Sequence, residues 1–367
     1  MDRDEFEKVI KACRFCLMCR HLCTVGNITY VETNTPRGQA LMLDCIGSEA
    51  LEDTPETRKR MAEVLFTCCY CGHCQNNCVS SYRHPDAIIE ARAGLLEADL
   101  PEKVKKLRAQ VEQSGGMYEN GKQAEGKKDI GNVDVLLYIG SFIRNEAPEI
   151  AKAAVETLEK AGVSYTILSQ ENNTGMDAYL LGMKPLAQQQ MDREINQIKA
   201  LKPARIAALS PEDQRALSND VPGIDASALG IPVISFASLA LELIKGGKLK
   251  TREAGKAVVS YHDGDQGGRF LQEYSVPRDL INAVAGIEYK ELFWSKGEAA
   301  SAGESGAVRM TDEELAHKIA RKRMDQVEGR GVDMLVTDSA EAKAQLAALG
   351  SDSVKIVHIA EFLVLHI

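Results

Sequence analysis

A chain of 367 residues with 44% hydrophobic and 26% charged content has material for two or three domains with ample core. Its net charge is −9, and residues 1–100 carry 11 Lys+Arg against 15 Asp+Glu, which argues against a nucleic-acid partner. No apolar run reaches the ~18 residues of a membrane span. The acidic start Met1-Asp2-Arg3-Asp4-Glu5 is not a signal peptide, so a cytoplasmic location is expected.

Residues 4–12 read as a short amphipathic helix leading into Cys13-x2-Cys16-x2-Cys19-x3-Cys23. Thr35-Pro36-Arg37-Gly38 is a turn that opens a helix over about 39–46, with Pro in its preferred place at a helix start. A helix over 54–66 runs directly into Cys68-x2-Cys71-x2-Cys74-x3-Cys78, and Pro85 opens another over 86–97. All ten cysteines lie between Cys13 and Cys78, and eight of them form the two runs. This is the bacterial ferredoxin spacing, in which three close thiolates hold one 4Fe–4S cube and the fourth reaches across to the other. The expected ligand sets are therefore Cys13, Cys16, Cys19 and Cys78 for one cluster, and Cys68, Cys71, Cys74 and Cys23 for the other. Zinc sites use two well-separated ligand pairs, and disulfide frameworks belong to exported chains, so neither suits this pattern. Cys68 rather than Cys69 takes the ligand role because it keeps both runs in register. Cys45 reads as core packing, and His21, His73 and His84 as loop residues that shield or tune the clusters.

Residues 101–131 change character: a charged helix is followed by Ser114-Gly115-Gly116 and Asn120-Gly121-Lys122, which read as a linker. Strands then alternate with helices. Strands are expected over 133–140, 163–168, 205–209 and 232–235, with helices over 148–161, 185–200, 211–217 and 239–245. The order starts again with strands over 257–262, 287–292, 333–337 and 355–358, and helices over 277–284, 312–328, 340–349 and from 360 onward. This is a duplicated α/β unit with mostly parallel sheets. The fold class is an α+β multidomain chain: an α-helical ferredoxin domain over 1–100, a linker over 101–131, and α/β halves over 132–250 and 251–367.

Helical cysteine runs with a Pro-Arg-Gly turn between them, followed by a duplicated α/β region, resemble the iron–sulfur subunits of glycolate oxidase, anaerobic glycerol-3-phosphate dehydrogenase and heterodisulfide reductase. In that family each half carries a cysteine motif of the CCG type. Here the corresponding positions read Gly140-Ser141, Asn173-Thr174-Gly175, Ser210-Pro211-Glu212-Asp213, Tyr261-His262-Asp263-Gly264-Asp265, Ser301-Ala302-Gly303 and Ser339-Ala340-Glu341-Ala342. The cubane runs also depart from the family, with Thr24 and Val79 where a Pro often follows the last cysteine.

The resemblance implies an electron-transfer subunit, not a catalytic one. It would relay single electrons between a flavoprotein dehydrogenase and another donor or acceptor, in an anaerobic setting, and would reach a membrane's inner face only through a partner. A heterodisulfide-reductase-like catalytic subunit and a docking or redox-sensing scaffold are the alternatives. The α/β region is expected to persist as a docking surface. Its relic acids Asp213 and Asp265 would need water, a ligand or a partner chain. His262, Asp263, Asp265 and Asp213 offer an oxygen/nitrogen metal site of Mg or Mn type, with relics on a remodelled loop the preferred account. Gly264-Asp265-Gln266-Gly267-Gly268, between a strand and a helix, offers a nucleotide-binding reading, but its spacing is not GxGxxG, and a degenerate cluster loop with tight-turn glycines is the preferred account. Ser141 lacks a recognisable triad. Residues 295–306 read as a flexible loop, and Phe293-Trp294 as either core or a partner contact.

Overall fold

The computed structural model describes residues 8–118 and 124–367. The helix expected over 4–12 is seen only from residue 8, and Asn120-Gly121-Lys122 lie outside the described residues.

The two cysteine runs sit in a frame of three helices, Pro36–Gly47, Pro55–Leu65 and His84–Ala93. The first begins three residues earlier than its apolar pattern suggests. Thr35 caps it, its hydroxyl accepting the Gly38 N–H at 3.2 Å, and Pro36 fills the first turn. Thr54 caps the second helix in the same way, with Pro55 following. The third stops at Gly94, short of 97, and Glu97–Asp99 forms a separate 3-10 turn. Buried Asp99 there pairs with Arg58 at 2.8 Å.

Residues 101–131, read as linker, contain the helix Glu102–Ser114, which buries Val104, Leu107 and Val111 and ends at Gly115 in a left-handed conformation. These residues join Leu65, Ile88 and Ile89 of the cysteine frame and Leu136, Tyr138 and Ile206 of the first α/β half in one continuous core.

In that half, strands β1 (Val135–Tyr138), β2 (Tyr165–Thr166), β3 (Arg205–Ala208) and β4 (Val233–Ser235) pair in parallel in the order β2-β1-β3-β4. Strands β5 (Ala257–His262), β6 (Ile287–Tyr289), β7 (Met334–Thr337) and β8 (Lys355–His358) repeat this as β6-β5-β7-β8. The duplication is therefore structural, and the two halves meet through equivalent helices. Pro148–Lys160 packs on Ile359–Leu365, and Phe236–Lys245 on Ser275–Asn282, around Ile150, Leu158, Phe236, Leu280 and Phe362. In both sheets the strand order reverses at the first strand, so the carboxyl ends of β1/β3 and β5/β7 open the crevices where α/β sheets bind ligands. Short helices Ser141–Glu146 and Met176–Leu180 lie at that edge of the first sheet, where the sequence pattern predicts none.

Two loops differ from expectation. Residues 301–306 are packed, with Ser301, Ala302, Glu304 and Ser305 all buried. The glycine-rich stretch after β5 forms a buried π-helical turn, Asp265–Phe270, that leans on the second cysteine run. Among the described residues no helix is long and apolar enough to cross a membrane.

Candidate metal centre

The Pro-Arg-Gly turn explains how the first cysteine loop is held. Arg37 donates to the Phe15 carbonyl at 2.8 Å and to Glu32 at 2.7 Å, tying loop to helix. Gly38 lies so close to the 3-10 turn Glu32–Asn34 that a Cβ there would overlap the Glu32 carbonyl. Gly38→Ala should therefore lower stability by about 1–3 kcal/mol, the usual range for overpacking, measured by thermal unfolding.

The two loops share a backbone conformation. Phe15 and Tyr70, each the residue before the second cysteine of its run, have φ of 50° and 52°. That match keeps Cys68 in register with Cys13, whereas Cys69 turns into an apolar cluster with Val25, Val308 and Ile319. Backbone N–H groups point at sulfur: Phe15 to Cys13 at 3.4 Å, Gly26 to Cys23 at 3.3 Å and Tyr82 to Cys78 at 3.3 Å.

The thiols fall into two groups that cross between runs. Cys13 and Cys19 lie within electrostatic reach of Cys16 and Cys78. Cys23 senses Cys71 and Cys68, and Cys74 senses Cys71, Cys68 and Cys23 and, more weakly, Cys19. Burial and then thiol–thiol repulsion push Cys19 up to about 11 and hold Cys74 well above the ordinary thiol range. Burial likewise raises Cys68, opposed by Arg92. Cys71 moves the other way, to about 5, through the thiol of Cys69, with Arg269 also favouring its thiolate. Buried thiols that repel one another as thiolates are stabilised in that form by a bound cationic centre, which is how metal coordination deprotonates a thiol. Among the described residues no three His, Cys, Asp or Glu side chains converge as one metal ion would draw them. The donor set of the two loops is all sulfur, with N–H groups supporting Cys13, Cys23 and Cys78. It fits a cube that presents a separate iron to each thiolate.

Sequence reasoning missed the arginines behind the second group. Arg92, fully buried, donates to the Cys68 carbonyl at 2.8 Å, and Arg269 donates to that of Cys71. Phe270 stacks on Tyr70 with ring centroids 5.5 Å apart, and Arg215 lies over the Phe270 ring at 3.8 Å. Of the histidines, His84 lines the first group's cavity, bonds Gln39 at 2.8 Å and is pushed down to about 3 by burial and Arg92. His73 bonds Glu298 at 3.2 Å.

The carboxyl-end loops of the α/β halves hold no sulfur, and Asp213, Asp177, Asp263 and Asp265 are engaged within the chain, whereas buried Asp338 Oδ1 and Glu341 Oε2 have no partner among the described residues. Asp213 accepts from Thr174 at 2.7 Å, and Asp177 from Asn173 and the Met117 N–H, both at 2.9 Å. Asp263 takes two bonds of 2.8 Å from Arg278, and Asp265 pairs with Arg269 while accepting from Ser301 at 2.7 Å. His262 Nδ1 accepts from Arg323 at 3.1 Å. The oxygen/nitrogen metal site from His262, Asp263, Asp265 and Asp213 is thus not assembled. Asp213 and Asp265 also do not wait for an outside partner, because local hydroxyl and guanidinium groups satisfy them. Asp213 is nevertheless raised to about 8, by burial first and by Glu171, Glu341 and Asp177. Its folded value exceeds the unfolded ~3.9, so the stability it contributes is full below pH ~4 and is lost as pH climbs toward 8. Asp213→Asn should flatten the fall in melting temperature between pH 5 and 8. A tenfold difference in proton affinity between the folded and unfolded chain is worth about 1.4 kcal/mol, or about 2 °C in a chain of this size.

The family model for CCG, described as a cysteine-rich domain, matches residues 135–212 and 259–347. The chain is 24% identical over 286 residues to a probable iron-sulfur-binding oxidoreductase, FadF, of Bacillus subtilis, covering 72% of this chain and 40% of that one. It is 24% identical to the EtfAB:quinone oxidoreductase of Syntrophomonas wolfei, covering 90% and 48%. It is also 24% identical to a subunit of the dihydromethanophenazine:CoB–CoM heterodisulfide reductase of Methanosarcina mazei, covering 62% and 56%. The chain spans about half the length of the curated relatives it matches. A crystal structure of a hypothetical protein from Helicobacter pylori matches all of this chain and 72% of its own, at a TM-score of 0.61 and 10% identity, a likeness of fold alone. Over residues 135–212 and 259–347, neither of which holds a cysteine, the chain is similar to the CCG cysteine-rich domain, as its relatives among iron–sulfur and heterodisulfide-reductase proteins also indicate.

Proposed function

We propose that this chain is an electron-transfer part of an oxidoreductase. It would hold one 4Fe–4S cluster on Cys13, Cys16, Cys19 and Cys78, and a second on Cys68, Cys71, Cys74 and Cys23. What supports this reading is the proximity of thiols across the runs, Cys78 to Cys13 and Cys19, and Cys23 to Cys68, Cys71 and Cys74. Bound there, such clusters take up and release single electrons. The chain's own part is to supply eight thiolates, aim N–H groups at sulfur and set positive charge behind the second group through Arg92 and Arg269. The relatives are named as oxidoreductases, which supports a redox partner; a flavoprotein dehydrogenase in the cytoplasm is the partner and setting we propose. Sulfur-based catalysis in the α/β halves has no cysteine to use.

Purified anaerobically, the chain should carry about eight irons and eight sulfides. Roughly four irons, or zinc in their place, would sink the two-cluster reading. Stopped-flow reduction by a flavoprotein dehydrogenase from the same gene neighbourhood should outrun reduction by free flavin; equal rates would remove the relay role.

A further inference from the structure

Arg323, on the helix Glu313–Glu328, is fully buried and has no carboxylate within ion-pair distance among the described residues. Its Nε donates to His262 at 3.1 Å, and its Nη1 to the Trp294 carbonyl at 3.0 Å and to Gln326 at 2.9 Å. Its Nη2 has no partner. Burial lowers this guanidinium only to about 10, so it stays charged at neutral pH. A buried, charged group with a free donor costs stability unless something satisfies it.

Arg323 lines a cavity of about 250 Å³. Leu22, Ile319 and Trp294 give it apolar walls, and Lys322 adds a second positive charge at its edge. The ring of His73, also buried, presents an Nδ1 with no partner. The one carboxylate in the lining, Glu298, is engaged by His73 at 3.2 Å and by Asn77 at 3.4 Å. The cavity therefore combines a buried cation with one unpartnered donor nitrogen, a second positive charge at its edge and an apolar wall ending in a half-exposed indole.

We propose that this cavity binds a small organic carboxylate, with the carboxylate on Arg323 and Lys322 and the apolar body against Leu22, Ile319 and Trp294. A carboxylate matches the guanidinium donor and adds in direct contact the negative charge that Asp263, Glu304 and Asp265 supply only from beyond ion-pair distance. Inorganic phosphate would meet the charge but leave the apolar wall uncovered. A neutral aromatic would cover the wall and leave the cation unpaired. Leu22 and Thr24 flank Cys23 in the chain, and His73 precedes Cys74, so the ligand would sit beside the second cysteine group. The inference goes beyond the electron-transfer reading and rests on none of its steps.

The test uses the full chain, purified anaerobically with its clusters. Acetate, butyrate and benzoate are titrated by calorimetry, and the fluorescence of Trp294, the single tryptophan, is followed in parallel. Benzoate should bind one per chain with a saturable fluorescence change, more tightly than acetate. Benzyl alcohol and inorganic phosphate should not saturate. Arg323→Gln should weaken benzoate at least ten-fold. Lys322→Glu, a change at the cavity edge that leaves the melting temperature intact, should weaken it several-fold, so a misfolded Arg323 variant does not remove the test. No saturable response to any of the three carboxylates would overturn the site, as would equal benzoate affinity in wild type and Lys322→Glu, or tighter binding of phosphate than of benzoate.

Discussion

Replacing Cys78 with alanine should cut bound iron from about eight to about four per chain, and the cluster lost should be that of the other run. Cys78 closes the second run in sequence, yet in space it stands with Cys13 and Cys19. The spectrum that survives in Cys78→Ala should therefore match the one that survives in Cys13→Ala. Cys23→Ala should give the complementary spectrum, shared with Cys68→Ala, because Cys23 stands with Cys68, Cys71 and Cys74. EPR of the dithionite-reduced proteins separates the two signatures. If Cys78→Ala instead resembles Cys68→Ala, each run serves its own cluster and the crossed assignment is wrong. Cys69→Ala should leave both signals, since Cys68 and not Cys69 holds the place equivalent to Cys13, although the lost Cys69–Cys71 contact should shift the second signal.

The features legible in the sequence are those with a local signature. Cysteine spacing locates the two loops, because short gaps confine the sulfurs of a run to one stretch of chain. Proline at a helix start locates Pro36–Gly47 and Pro211–Leu217, because its ring suits the first turn and little else in a helix. The repeated strand–helix alternation gives both sheets, down to the bounds of Ala257–His262 and Lys355–His358. What escaped depends on side chains reaching across the fold. Nothing near Arg269 in the chain announces that it will bond the carbonyl of Cys71, nearly two hundred residues away. Small residues over 301–306 read as a flexible loop, since smallness fits both exposure and close packing. Here Gly306 lies against the backbone of Cys69, where a side chain would not fit. The docking role expected for the α/β region is likewise incomplete, because Leu65, Ile88 and Ile89 of the cysteine frame share a core with Leu136 and Tyr138. Removing residues 132–367 would uncover that core, so the region is a folding partner of the cysteine loops.

Arg92 is where that partnership is most concentrated, and Arg92→Met should be the most damaging single change outside the cysteines. The guanidinium is fully buried. It donates to the Leu65 carbonyl at 2.9 Å and the Cys68 carbonyl at 2.8 Å, both at the entrance to the second run. It also donates to Leu180 of the first α/β half at 2.6 Å and to Gly306 of the second at 3.3 Å. Three parts of the chain therefore meet on one planar group whose fixed fork can serve several carbonyls at once. Methionine fills much of the same volume but donates nothing, and each buried carbonyl left unpaired costs about 1–3 kcal/mol. Partial relaxation brings the expected total to about 3–5 kcal/mol, the range seen when a buried charge network is broken. Arg92→Lys should recover little, because one ammonium cannot reach carbonyls spread across three segments. The damage should also be uneven. Arg92 is the charge that favours the Cys68 thiolate against burial, so the second group should lose its iron first. A partly unfolded Arg92→Met protein that keeps about four irons, with the spectrum of Cys68→Ala, is the expected result. Equal loss of both signals would mean that Arg92 holds the fold together without favouring either site.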